Sequence, residues 1–323
     1  MNTAAAGGGD GGPRTAAAGG LLWGLVGVLA FSLTLPMTRV AVARIDPSVV
    51  AFGRMAIAGL VAIAWLAVTW TRRPGGAELR LAAASALGVV IGFPLLSTLA
   101  LRSTPASHAA IVSGLLPFAT AVFGVVLHRE RLAPRFWAAA VAGSALVVGY
   151  AWTRGGGRLS VGDLWMLGAV VAGAFGYATG ARLAMRIGGM RAILWSLATA
   201  TPFTLPIAAA SALNAPPHAD AATWAAFGYV TLVSQLLGFF AWYNGLAKGG
   251  IARVGQVQLL QVFFTIGFAA LAFGEDVAPS TWWFAAAVVA TIAWGRSSRA
   301  AATSAPHWGE HACTATAARG IDS

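Results

Sequence analysis

The 323-residue chain is 58% hydrophobic and 10% charged, with a mean hydropathy of +0.74; a soluble domain carries about a quarter charged residues, so an ordinary water-dissolved enzyme is excluded and a bilayer protein is expected. The net charge of +11 is spread over short loops with no aromatic–basic stripe, which argues against a nucleic-acid partner. Cys313 is the one cysteine, which excludes an internal disulfide framework and a cysteine-based metal site.

Residues 1–19 are rich in Ala and Gly without an apolar period and read as a disordered tail. Ten stretches follow, each long enough to cross about 30 Å of hydrocarbon at about 1.5 Å per residue. The first, 21–43, imitates a cleaved leader, with Arg14 before it and Ala41-Val42-Ala43 at its end. Its apolar run is too long for a leader, however, and its pattern returns in mid-chain, so it reads as an uncleaved first helix. Stretches 47–70, 81–101, 106–127 and 134–153 complete a first set, punctuated by Asp46-Pro47, Pro74-Gly75-Gly76, Thr104-Pro105 and Ala133-Pro134. After Gly155-Gly156-Gly157 a second set runs 163–184, 190–211, 221–246, 251–273 and 279–296, and residues 297–323 form a polar, Ala-rich second tail. Helices are required because lipid offers no partner to a free backbone amide. The pairs Gly20/Gly24, Gly88/Gly92, Gly176/Gly180 and Gly245/Gly249 mark faces where helix backbones can approach.

The segment His108–Trp137 returns as Arg253–Trp282, 145 residues further on, placing Phe118 on Phe263, Thr120 on Thr265, Glu130 on Glu275 and Pro134 on Pro279. At a shift of 142, Gly20, Leu22, Trp23, Arg44 and Ile45 fall on Gly162, Leu164, Trp165, Arg186 and Ile187. The copies differ in charge: Arg129, Arg131 and Arg135 in the first stand where the second has Gly274, Asp276 and Ser280. Cationic loops stay on the cytoplasmic side. With the N-terminus inside, cytoplasmic segments hold fifteen Lys and Arg, outer loops hold five, and Arg54 lies within a span. Both termini are then cytoplasmic, and five spans per half, an odd number, invert the second copy. The expected fold is all-α and polytopic: ten transmembrane helices as two inverted five-helix repeats, residues 20–153 and 161–296, in a bacterial-type cytoplasmic (inner) membrane. Inverted repeats of this kind are a hallmark of secondary transporters.

This arrangement resembles the drug/metabolite transporter superfamily, and within it the EamA-type permeases, over residues 20 to 296. The resemblance rests on two five-helix halves, each closing with an apolar helix, a Glu (Glu130, Glu275), a Pro (Pro134, Pro279) and a last helix. Trp242-Tyr243-Asn244-Gly245-Leu246-Ala247 before Lys248 is also similar to that family's eighth helix. The family's Pro is present as Pro117 but is Val262 in the second half, and its final-helix Gly is Gly143 but Val288 there. The resemblance implies transport of small metabolites, amino acids or drugs.

Polar groups at membrane depth are the candidates for a transport path, since their burial in lipid costs free energy. On a continuous ninth helix, Gln258, Gln261 and Thr265 share a face within about 60°; their first-half counterparts are Ser113, Leu116 and Thr120. These side chains either line a midplane cavity or bond between helices. In the eighth helix Gln235, Phe239 and Trp242 share a face, an amide framed by aromatics; an interfacial aromatic belt is the other reading for Trp242, and the favoured one for Tyr243. Pro36 kinks the first helix beside Ser32 and Arg39. Arg54 either attracts a carboxylate or phosphate or snorkels outward. For proton coupling the candidates are His108, Glu130 and Glu275, because no Asp or Glu lies in mid-membrane; His108 also reads as a satisfied interfacial histidine.

No P-loop is present, so ATP is not the direct energy source, and neither a cofactor nor a metal is expected. The sequence therefore predicts a secondary transporter, not an enzyme, exporting a small-molecule substrate across the lipid bilayer by alternating access. The alternatives are a lipid-headgroup flippase, for which Arg54 is the only basic candidate, and an intramembrane enzyme. The enzyme lacks support: Ser113 and His108 sit at different depths without a glycine-rich Ser turn, and no paired acids stand ready to hold magnesium.

Overall fold

Every regular element in the computed structural model, which describes residues 13–69, 72–128, 134–154, 160–249, 254 and 257–296, is helical. The helices are α1 (Pro13–Ser32), α2 (Thr34–Val42), α3 (Pro47–Val68), α4 (Gly76–Ser85), α5 (Phe93–Ala100), α6 (Ala106–Ser113), α7 (Leu116–His128), α8 (Pro134–Arg154), α9 (Val161–Ile187), α10 (Gly189–Asn214), α11 (Ala221–Gly228), α12 (Phe239–Gly249), α13 (Leu260–Phe273) and α14 (Pro279–Arg296). Two π-helical stretches, Ala86–Gly92 and Tyr229–Gly238, join α4 to α5 and α11 to α12. Glu130, Cys313, residues 1–12 and residues 297–323 lie outside the described residues.

Among the described residues seven helical runs are long and apolar enough to cross a membrane: Gly19–Val42, Pro47–Val68, Gly76–Ala100, Ala106–Leu127, Val161–Ile187, Gly189–Asn214 and Ala221–Lys248. The other three expected stretches are helical but shorter or less apolar. In α8 the apolar centre is only Trp137–Val147. The 14 residues of α13 reach about 21 Å, with residues 251–253, 255 and 256 of its expected stretch outside the described residues, and α14 has 18 residues, among them Ser280, Thr281 and Thr291. The first helix begins at Pro13, so residues 13–19 are helical where a tail was expected: proline is pre-organised for the first helical position and Ala16–Ala18 are strong helix formers.

Helix ends follow local chemistry. Asp46 caps α3, accepting the Ser48 amide at 2.8 Å ahead of Pro47, and Asp220 caps α11 through the Thr223 amide at 2.8 Å. Ser160 and Asp163 form a capping box on α9. Gly188 (φ 86°) ends α9, and Gly274 (φ 63°) ends α13 in the left-handed region, where glycine carries no Cβ penalty.

Packing runs between the halves. α1 lies on α12, α9 on α4 and α5, α3 on α10, α6 on α13 and α8 on α14. Exchanging each element with its sequence counterpart (α1–α2 with α9, α3 with α10, α4–α5 with α11–α12, α6–α7 with α13, α8 with α14) returns the same set of pairs. Glycine permits two close backbone approaches. A Cβ on Gly88 would stand 2.4 Å from the Cα of Gly176, and one on Gly245 would stand 2.9 Å from the Cα of Gly24. The small-residue faces expected from the sequence thus meet one another, in α4–α5 against α9 and in α12 against α1.

Candidate functional site

Regular helices satisfy their own backbone, so a polar site in a bundle forms most readily where the helices break. Five breaks occur here. Leu33 separates α1 from α2; Pro36, three residues on, has no N–H to offer the Ser32 carbonyl. Gly114 and Leu115 separate α6 from α7, where Pro117 likewise cannot donate to the Ser113 carbonyl. Pro94 withholds the amide due to Val90, and in the π-helical stretch before it the Phe93 N–H reaches back five residues to Gly88. Its counterpart Tyr229–Gly238 is the fourth break, and the turn at Gln258–Leu259 ahead of α13 is the fifth.

These breaks converge on one narrow cavity of about 460 Å³, open mouth included. Of its fourteen lining residues, only Arg54 and Tyr177 come from uninterrupted helices, α3 and α9. The rest sit at or within a few residues of a break: Phe31, Thr34 and Leu35 around the first, Val89, Phe93 and Pro94 at the π-helical stretch, Ser113 and Leu116 at the next. Ser234, Gln235 and Phe239 lie in or just after the second π-helical stretch, and Gln261 follows the Gln258–Leu259 turn. Both halves therefore contribute walls.

Hydrogen bonds join several of the polar side chains. Arg54 is 1% exposed and donates from Nη2 to Gln235 Oε1 at 2.9 Å, and Gln235 Nε2 donates to the Val89 carbonyl at 3.2 Å. Thr34 and Ser234 share a 2.7 Å hydroxyl contact across the two halves. Arg54 Nε and Nη1, together with Gln261 Oε1 and Gln258 Nε2, are buried without partners among the described residues. Arg54 is buried and so does not snorkel outward; an uncompensated buried cation costs several kcal/mol, so structural pairing does not explain its position. On the apolar side Phe239 packs on Phe31 and Tyr177 with ring centroids at 4.9 and 5.9 Å.

Four of the expected site residues, Arg54, Gln235, Gln261 and Ser113, line this cavity. Gln258 and Thr265 are buried but outside the lining. A turn at Gln258–Leu259, closed by a 3.0 Å bond from the Gln261 amide to the Gln258 carbonyl, precedes α13, which carries both Gln261 and Thr265. Thr120 bonds its own helix, donating to the Leu116 carbonyl at 2.8 Å. Trp242 and Tyr243 are not an interfacial belt: both are buried, Trp242 behind Tyr177 (centroids 5.8 Å) and Tyr243 with its hydroxyl 3.1 Å from Ser85 Oγ. The hydroxyl end of Tyr243 takes the space that Gly180 leaves open on α9. Sequence reasoning missed Thr34, Ser234 and Tyr177. Thr34 and Ser234 carried a signal, as polar residues in mid-span, and Tyr177 did so as one of only four tyrosines.

The remaining described candidates, Glu275 and His108, lie at one end of the bundle. Glu275 accepts the Ala106 and Ser107 amides at 2.8 and 3.0 Å, capping α6 from the loop before α14. A carboxylate at a helix N-terminus is stabilised by the free amides and the helix dipole, so Glu275 is held in a structural contact. His108 Nε2 lies 2.7 Å from Asp163 Oδ1, and its ring faces Tyr150 at 5.0 Å. No sequence pattern linked Asp163 to His108, 55 residues away. Among the described residues no group of three or more His, Cys, Asp or Glu could hold a metal ion.

Comparison with known proteins places the chain. The sequence profile of the EamA-like transporter family matches twice, at residues 18–150 and 160–294. A Bacillus subtilis protein named "Uncharacterized transporter YdeK" is 44% identical over 266 residues, spanning 80% of this chain and 90% of its own. An "Uncharacterized transporter" of Archaeoglobus fulgidus is 25% identical over 245 residues, 73% of this chain and 83% of its own. A solved crystal structure shares the fold with a TM-score of 0.59 at 21% identity, covering 86% of this chain and 96% of that one.

Proposed function

The chain belongs to the EamA-like transporter family and is a multi-pass membrane transporter, not an enzyme; from that premise we propose that it exports a small organic metabolite across the cytoplasmic membrane by alternating access around the cavity at Arg54. The observation that carries this reading is the convergence of five helix breaks, drawn from both halves, on one polar pocket. Discontinuous helices at a repeat interface are where secondary transporters bind substrate, and irregular backbone at membrane depth is tolerated where it lines a cavity.

The finer architecture belongs to the same proposal: ten spans in two five-helix units, residues 20–153 and 161–296, the second inverted, with both termini cytoplasmic. The exchange-invariant helix pairing and the excess of Lys and Arg in the loops assigned to the cytoplasm support it. Rocking of the halves opens the cavity to each face in turn, with the breaks as pivots. For coupling, His108 with its partner Asp163 is the proton-handling candidate, since Glu275 is committed as a helix cap.

Uptake into proteoliposomes, assayed against amino acids, organic acids, amines and dyes with and without an imposed pH gradient, tests the reading. Gln261→Leu is expected to reach wild-type membrane abundance yet transport about tenfold more slowly, the equivalent of one buried hydrogen bond of about 1–1.5 kcal/mol. Wild-type rates in that variant would remove Gln261 from the path. His108→Gln is expected to lose the response to the pH gradient; an unchanged response would remove the pair from coupling.

A further inference from the structure

From the unpaired guanidinium in the cavity we infer that the transported substrate is a net organic monoanion, its carboxylate held by Arg54 and its apolar body lying against Phe31, Phe93, Tyr177 and Phe239. The inference rests on the transport reading above and narrows it.

Three observations carry it. Arg54 is the only charged residue among the fourteen that line the cavity, and it is 1% exposed. Its Nε and Nη1 have no partner among the described residues, while Nη2 is fixed by Gln235, whose own amide is tied to the Val89 carbonyl. The fork is thus oriented, with donors left over. A guanidinium matches a planar carboxylate in geometry and in charge. One cation balances one negative charge, whereas a phosphate monoester would bring a second charge with nothing to offset it.

The absence of an acid among the described lining residues decides against cations and zwitterions. The described acids cap helices or lie at helix ends and loops, as Asp46, Asp163, Asp220 and Glu275 do. An amine would place its charge beside Arg54, and like charges in a low-dielectric pocket repel. An α-ammonium would find only neutral acceptors, among them the unpartnered Oε1 of Gln261. The four aromatic walls, meanwhile, favour a flat or branched apolar body.

Four probes on one carbon skeleton separate these possibilities: 3-phenylpropionate, its neutral amide, 3-phenylpropylamine and phenylalanine. Binding to the purified full-length protein in detergent is read by thermal shift, and transport by counterflow in proteoliposomes. 3-Phenylpropionate is expected to bind wild type at least about tenfold tighter than each of the other three, the scale of one charge-assisted contact. Arg54→Gln is expected to erase that preference. Equal or tighter binding of the amide, the amine or phenylalanine overturns the inference, as does binding of none of the four. The wild-type ranking needs no variant, so a poorly folded Arg54→Gln leaves the test intact. Transport of amines but not acids would sink the inference while the transport reading stands; transport of no probe or panel compound would sink that reading as well.

Discussion

Gly88→Leu is expected to leave almost no folded protein in the membrane. A Cβ alone on Gly88 would lie 2.4 Å from both the N and the Cα of Gly176 and 2.5 Å from the Ala172 carbonyl oxygen. These are backbone atoms of a facing helix, so no rotamer change relieves the contact, and α9 must move away from the π-helical stretch. Overpacking a well-filled core usually costs about 1–3 kcal/mol; a four-carbon side chain against backbone belongs beyond that range. Gly88→Ala should already lower the melting temperature in detergent. Gly228 provides the control: nothing lies within 4 Å of a Cβ there and its φ is −59°, so Gly228→Ala is expected to be neutral or to stabilise by up to about 1 kcal/mol. Equal tolerance of Ala at positions 88 and 228 would contradict the close α9 approach.

Arg54→Met is expected to separate stability from activity. Two effects oppose each other in the fold. The substitution leaves Gln235 Oε1 without its donor, a loss of about 1–3 kcal/mol. It also removes a buried cation whose remaining nitrogens have no partner, and exchanging buried ions for apolar residues is often neutral or stabilising by about 1–4 kcal/mol. The second effect wins or the two balance, so membrane abundance and melting temperature should hold or rise. Transport should fall by on the order of a hundredfold or more, since losing a buried charge-assisted contact costs about 2–5 kcal/mol. A variant that both melts early and loses transport would make Arg54 a structural residue instead.

The parts of this architecture legible in the sequence are those that lipid dictates. Spans must be apolar and helical, so the all-helical membrane fold and its punctuation show in composition, and the 145-residue recurrence of Phe118, Thr120 and Trp137 shows the duplication. Arg54 and Gln235 stood out because polar groups are rare at depth, and the cavity brings them together at 2.9 Å. The breaks were harder to see. Pro36, Pro94 and Pro117 each withdraw an amide donor, but Val262 holds the place of Pro117 in the second half and the chain turns at Gln258–Leu259 regardless. Tyr243 was misread for another reason: an aromatic near a helix end suits an interface equally well, and only Gly180 of α9 shows that it fits inside. Likewise, the pairing of His108 with Asp163 joins residues 55 apart, with no local pattern to announce it.

The most direct test of the central claim, a shared cavity reached from each side of the membrane in turn, uses the chain's one cysteine. With Cys313→Ser as background, Gln261→Cys is probed with a membrane-impermeant maleimide in right-side-out and in inside-out vesicles. The account predicts labelling from both faces, slowed in each case by a transported compound. Labelling from one face only, or rates indifferent to that compound, would contradict it.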